Sequence, residues 1–253
     1  LVLLRRESHT AFSEGEEIFA RLFAARAGAA LSAARLYAEQ SAITRTLLRE
    51  LLPPRLHRLH GFELAGGYRA SEDHELVGGD FYDFVQTPDR TVHVMIGDVA
   101  GHGPDEAALG VALRIAWRTL TFAGLRGADR MRQLERILRA ERAGKGIFAT
   151  VLSLAIPPEG TTITAVRAGH PGMLMHGEGS VEWVEPPGGP ALGLRAGDWP
   201  PQQIDLRAGC GLVLLTDGLF EGHSGRGNER LGEAGLLEIA RSLAALPGPE
   251  FVD

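Results

Sequence analysis

From Ser13 to Leu51 the chain repeats apolar residues at helical spacing, and Pro53-Pro54 follows at once. Ile18, Leu22, Ala25, Ala29, Ala33, Leu36, Ile43, Leu47 and Leu51 keep the three/four step, with only the Gln40 position out of phase. That period predicts a helix of about 38 residues, or about 57 Å at a rise of 1.5 Å per residue. Ser13-Glu14-Gly15-Glu16 reads as a capping box at its start, and the two prolines stop it. One small core does not need so long a helix. The expectation is a signalling stalk that pairs with a second copy as a coiled coil. Two shorter helices with a break near Glu39 to Ser41 are the other reading. The Ala-rich half, Ala24 to Ala34, permits close approach of a second helix.

After the prolines the pattern shortens. Gly61 to Tyr68, Thr91 to Ile96, Phe148 to Ile156, Thr161 to Ala168, Met173 to His176, Val181 to Val184 and Gly211 to Thr216 read as strands punctuated by Gly and Pro. Glu106 to Leu120, Arg130 to Arg142 and Leu231 to Leu246 read as helices. Strands in hairpin order with helices between them predict an α+β layered domain with largely antiparallel sheets. With 44% apolar and 23% charged residues, the chain has material for a sizeable core. A net charge of −6 argues against a nucleic-acid partner. The single cysteine, Cys210, excludes an intrachain disulfide and a cysteine zinc site, and fits a reducing, cytoplasmic compartment. No apolar run approaches the ~20 residues of a membrane span. Leu1 to Leu4 reads as a strand, too short for a secretion leader, and the lack of a starting methionine suggests a piece of a longer protein.

Three segments share one chemical design. They are Val77-Gly78-Gly79-Asp80-Phe81-Tyr82-Asp83, Ile96-Gly97-Asp98-Val99-Ala100-Gly101-His102-Gly103 and Leu214-Leu215-Thr216-Asp217-Gly218. Each sets an aspartate beside glycine, mostly at the expected mouth of a strand. Glycine lets a backbone approach an ion closely, and carboxylate oxygens suit hard cations such as magnesium or manganese. One such pair is a common turn; three of them, two after strongly apolar strands, point to a metal site.

Together with Phe148-Ala149-Thr150, Ala168-Gly169-His170-Pro171 and Thr216-Asp217-Gly218-Leu219-Phe220-Glu221, these strings resemble the SpoIIE/RsbU-type branch of the PP2C (PPM) phosphatases. The order and spacing match from Leu51 to about Leu236. The resemblance implies an α/β/β/α sandwich of two antiparallel sheets flanked by helices over 61–253. It implies two Mn2+ or Mg2+ ions and hydrolysis of phosphoserine or phosphothreonine on a STAS-domain anti-anti-sigma-type regulator in bacterial partner switching. Carried over, Asp98 bridges the two ions, helped by the Val99 carbonyl, Asp217 binds the first and Asp80 stands at the second. The family's usual terminal Asp-Asp pair is missing from the given residues, so a C-terminally truncated domain is expected, its first ion short of a ligand; Asp253 is in the wrong context to replace the pair. Upstream, residues 1–41 resemble the end of a GAF sensor domain, and 36–60 a helical linker through which the chain forms a homodimer.

Other side chains weigh less. His102 is a candidate for touching phosphate or for a turn bond, and His170 for structure. His57, His60, His74 and His223 lack ligand spacing. Glu221 either orients a loop or is solvated, and Arg114, Arg118, Arg126, Arg130, Arg136 and Arg139 are expected on solvated helix faces. Two rival functions stand: a degenerate phosphatase that only binds a phosphoprotein, and a metal hydrolase of small phosphoesters.

Overall fold

The computed structural model describes residues 11–51, 62–67, 78–177, 179–207, 209–222 and 230–252, with backbone alone at 40–51, 248 and 249. The expected strand at Leu1 to Leu4, the Pro53-Pro54 stop, Asp253 and the four histidines without ligand spacing lie outside those residues. The chain divides into two compact units, Leu1–Glu50 and Leu51–Asp253.

Among its described residues the first unit forms one unbroken helix, α1 (Glu14–Leu51). The capping box forms as the sequence predicts. Glu16 accepts the Ser13 N–H at 2.8 Å, and the Ser13 hydroxyl accepts the Glu16 N–H at 3.3 Å. Ion pairs one turn apart, Glu17 with Arg21 and Arg35 with Glu39, add a few tenths of a kcal/mol each. Ile18, Phe19, Leu22, Phe23, Leu31 and Leu36 remain exposed along it.

The second unit has four layers. A five-stranded antiparallel sheet runs β1-β2-β3-β4-β7, from β1 (Gly78–Gln86), β2 (Val92–His102), β3 (Ala149–Ile156), β4 (Thr162–Ala168) and β7 (Gln202–Asp205). A three-stranded antiparallel sheet runs β6-β5-β8, from β5 (Met173–Gly177), β6 (Ser180–Val184) and β8 (Gly211–Leu214). Leu152, Leu154, Ile163 and Ala165 of the first sheet meet Met173, Leu212 and Leu214 of the second. The other face of the large sheet packs on α2 (Pro104–Phe122) and α3 (Gly127–Glu141) through Phe81, Met95, Val99, Leu113, Trp117 and Leu134. The other face of the small sheet packs on α4 (Gly232–Ser242) and α5 (Gly248–Val252) through Leu174, Val181, Leu236, Ala240 and Phe251. This is the expected α/β/β/α sandwich.

Phe81 fixes how closely β1, β2 and α2 approach. A Cβ at Gly97 would lie 2.6 Å from its ring tip and 2.6 Å from the Thr150 carbonyl, and one at Gly110 would lie 3.1 Å from its ring edge. The large phenyl ring and the two bare backbones are one packing unit.

The helix face of the sheet also holds charge that the sequence reading placed in solvent. Asp83 is fully buried and takes two hydrogen bonds from Arg118, one of them at 2.7 Å, with Arg114 at 3.6 Å. Arg130 is 3% exposed. It donates to Thr121 Oγ1 at 2.7 Å and Ser153 Oγ at 2.9 Å, and its guanidinium stands 5.1 Å from the Trp117 ring centre. The expected solvated faces therefore fail at Arg114, Arg118 and Arg130: the guanidinium groups of Arg118 and Arg130 reach hydrogen-bond acceptors under α2 and α3, and that of Arg114 is held by charge beside Asp83. Two further expectations change. Phe62 to Gly67 form no strand beyond a single bridge at Phe62, and β7 arises from a polar stretch, Gln202-Gln203-Ile204-Asp205, with no apolar run to announce it.

Candidate functional site

Alternation along β2 decides what faces the gap between the sheets. Val94 and Ile96 pack into the inter-sheet core, so Asp98, two residues on, points the same way. Asp80 is its direct partner on β1 and Thr150 its partner on β3. Cross-strand partners share a face, so Asp80, Asp98 and Thr150 form a row across three strands. The ladder shifts register between Gly78 and Asp80. Gly79 sits in that irregularity, where a Cβ would lie 2.2 Å from the Val99 carbonyl oxygen. Only a bare backbone lets the two strands close there, and the Val99 carbonyl stays beside the aspartate row. Asp217 arrives from the other sheet: β8 ends at Leu214, and a 3₁₀ turn begins at Asp217.

The sequence expected Asp98 where its strand ends. Instead β2 runs on to His102, and Asp80 lies inside β1. The Gly-Asp pairs that read as turns are here glycines required by close packing within a ladder. Asp217 does follow its strand.

The carboxylates feel one another. Asp98 is pushed from 3.8 to about 7, first by burial and then by the negative charges of Asp80, Asp217 and Glu221. Asp80 is raised by burial; the Thr216 side chain opposes this, and the charge of Asp217 adds to it. Asp217 is raised by burial and by Glu221, against hydrogen bonds from backbone N–H groups. Among the described residues no Lys or Arg pairs with Asp80, Asp98 or Asp217, whereas Glu221 has Arg230 at 3.3 Å. Negative charge collected in this way without a cationic side chain suits an oxygen-preferring divalent cation. Also among the described residues, no three His, Cys, Asp or Glu side chains stand close enough together to hold a metal ion. The donor chemistry of the three aspartates fits an oxygen-preferring divalent cation.

Thr216 and Glu221 are the site neighbours that spacing alone did not reveal, although both lie in the motif around Asp217. His102 closes β2 and is exposed. His170 is buried and bonded to Thr150 and to the Leu215 carbonyl, in keeping with the structural reading. No helix among the described residues is long and apolar enough to cross a membrane.

Comparison with known proteins agrees with this architecture. The family model for Stage II sporulation protein E (SpoIIE) matches residues 88–253, a span holding Asp98 and Asp217, with Asp80 just ahead of it. Phosphoserine phosphatase RsbP of Bacillus subtilis is 25% identical over 160 residues, covering 61% of this chain and 38% of its own. The chain thus spans well under half of that curated relative. The RsbU and RsbW domains of a Mycobacterium tuberculosis protein are 30% identical, with a TM-score of 0.60 over 70% of this chain and 48% of that one. The SiaA PP2C domain of Pseudomonas aeruginosa has a TM-score of 0.68 and covers 87% of both chains. At 19% identity that likeness is one of fold.

Proposed function

The chain belongs to the SpoIIE family, and from that premise we propose that it is a metal-dependent phosphatase of phosphoserine or phosphothreonine in proteins. The observation that carries the reading is the opposed pair Asp80 and Asp98, facing the gap into which the other sheet brings Asp217, with Asp98 raised to about 7 by burial and like charge. Asp98 would be shared between two Mn2+ or Mg2+ ions, with the Val99 carbonyl beside it, Asp217 at one ion and Asp80 at the other. Bound ions supply an acidified water as nucleophile and offset charge on the phosphoryl oxygens. Asp98 must give up its proton as a cation binds, so occupancy and protonation are linked there. The row on the large sheet holds its carboxylates on ladder-paired backbone, which keeps them oriented while Asp217 closes from the far side.

The substrate we propose is a phosphorylated STAS-domain regulator, met in the cytoplasm within a partner-switching system. The name of one relative, phosphoserine phosphatase RsbP, supports the phosphoserine part of that reading, and the motif resemblance supports the STAS-domain part. We assign α1 to the linker between an upstream GAF-like sensor and the phosphatase. Exposed Phe19, Leu22 and Leu36 on α1 support a homodimer through that helix. Sedimentation of the Leu22→Glu variant checks this; an unchanged dimer would refute it.

Incubating the protein with Mn2+ and a phosphorylated STAS-domain protein, beside Asp98→Asn, tests the activity. Phosphate release by the parent and none by the variant is expected. Equal release from both overturns the assignment. The uncaged carboxylates favour one second reading, a non-catalytic phosphoprotein-binding module; tight binding of the phosphoprotein without release would establish it.

A further inference from the structure

His170 lies in the turn between β4 and β5, yet is 1% exposed. Its Nε2 is 3.1 Å from the Leu215 carbonyl oxygen and its Nδ1 2.8 Å from Thr150 Oγ1. A carbonyl oxygen only accepts, so Nε2 carries the proton and Nδ1 accepts from the Thr150 hydroxyl. Both ring nitrogens of a neutral imidazole are thereby used. Burial first, and Arg167 after it, hold the ring neutral against the hydrogen bond to Leu215, with a pKa near 4. Its backbone is fixed too: Arg167 Nη1 donates to the His170 carbonyl at 2.8 Å and Arg167 Nε to that of Pro186 at 2.7 Å.

The two ends of the ring touch different sheets. Thr150 is the ladder partner of Asp98 on the large sheet. Leu215 extends β8 of the small sheet and stands two residues before Asp217. Between them comes Thr216, whose side chain counters the rise of the Asp80 carboxyl. The apolar contact between the sheets is non-directional and sets their spacing only coarsely. Directional bonds that run from one sheet to the other beside the carboxylates define the gap more finely.

We propose that His170 is a positioning residue that ties the Asp98 row to the peptide leading into Asp217, and so sets the gap across which the two sheets take a divalent cation. The proposal rests on the metal-site reading above. His170 touches neither the cation nor the substrate; it acts through Thr150 and Leu215.

The test is Mn2+ binding to the whole protein, followed by the electron paramagnetic resonance of free Mn2+, with thermal unfolding measured in parallel. His170→Phe keeps an aromatic ring and removes both hydrogen bonds. Thr150→Val keeps the shape and removes one. Each is expected to weaken Mn2+ binding about tenfold, the scale of losing a group that orients a metal ligand. His170→Gln, which keeps a donor and an acceptor, should recover part of that loss. Ile163→Val, a buried change in the inter-sheet core, serves as control: it lowers the unfolding temperature and leaves Mn2+ affinity unchanged. If His170→Phe fails to fold, Thr150→Val alone decides. Parent affinity in both Thr150→Val and folded His170→Phe overturns the positioning role and leaves the metal site standing. No Mn2+ binding by the parent protein overturns the metal-site reading, and this proposal with it.

Discussion

Asp98→Asn should make the metal-free protein more stable at neutral pH. The carboxyl is raised from 3.8 to about 7 by burial and by the charges of Asp80, Asp217 and Glu221. Below pH 3.8 it is protonated in the folded and the unfolded chain alike, and no penalty arises. Between 3.8 and about 7 the unfolded chain releases the proton while the folded one keeps it, so stability falls as pH rises. Above about 7 the penalty is complete. A rise of about three pH units at about 1.36 kcal/mol each sets a ceiling of about 4 kcal/mol. Asp98 is only half-buried, and water at the rim screens its neighbours, which leaves about 1–2 kcal/mol. Asparagine has the same shape and no charge. Urea unfolding in a chelator, on parent and variant at pH 4 and pH 7.5, measures the difference. The variant should exceed the parent by about 1–2 kcal/mol at pH 7.5 and match it at pH 4, and saturating Mn2+ should stabilise the parent more than the variant. A variant no more stable than the parent at pH 7.5, or one equally stabilised at both pH values, refutes the reasoning.

Asp83→Ala leaves the Arg118 and Arg114 guanidinium groups without their buried acceptor. It should cost about 3 kcal/mol in urea unfolding, the low end for a broken buried pair, because Arg118 is a third exposed and can turn outward. Arg130→Met should lie within about 1 kcal/mol of the parent: Thr121 still bonds the Trp117 carbonyl, and Ser153 still accepts from the Trp117 ring N–H. A loss above about 3 kcal/mol would contradict that account of the buried cation. Gly79→Ala drives a methyl group against the Val99 carbonyl; about 1–3 kcal/mol of stability should go, with a larger proportional loss of Mn2+ affinity in a direct titration.

Element type was readable wherever periodicity and Gly/Pro punctuation agreed. Helix α1 begins at the capping box, and β3 to β6 fall within about one residue of their expected limits, because sheet and helix boundaries there are set by local turns. The site was readable as a set of residues and not as a place. Asp80 and Asp98 sit beside glycines that mimic turn signals, and only the Phe81 ring and the Val99 carbonyl explain why glycine is needed inside a ladder. Asp217 is brought to their side of the gap by sheet-on-sheet packing, which no local pattern encodes. Arg130 looked like one more helix-surface cation, since what buries it is Ser153 and Trp117, both remote in sequence.

The phenyl ring of Phe81, held between Gly97 and Gly110, carries a consequence for how sequences of this kind drift. Volume at these positions is held in common, so no one of them diverges alone. A relative with alanine in place of Gly110 should carry a smaller side chain where this chain has Phe81, together with a small shift of β1, because the Gly79 carbonyl oxygen also stands 3.1 Å from the added methyl group. At Gly97 no such exchange is open, because the Thr150 carbonyl blocks a methyl group whatever the ring does. One glycine is therefore tied to its neighbour's size and can co-vary with it where the Gly79 carbonyl yields by a few tenths of an ångström, while the other, next to Asp98 and 2.6 Å from a backbone oxygen, is pinned and should stay fixed over evolutionary distances at which the first has changed.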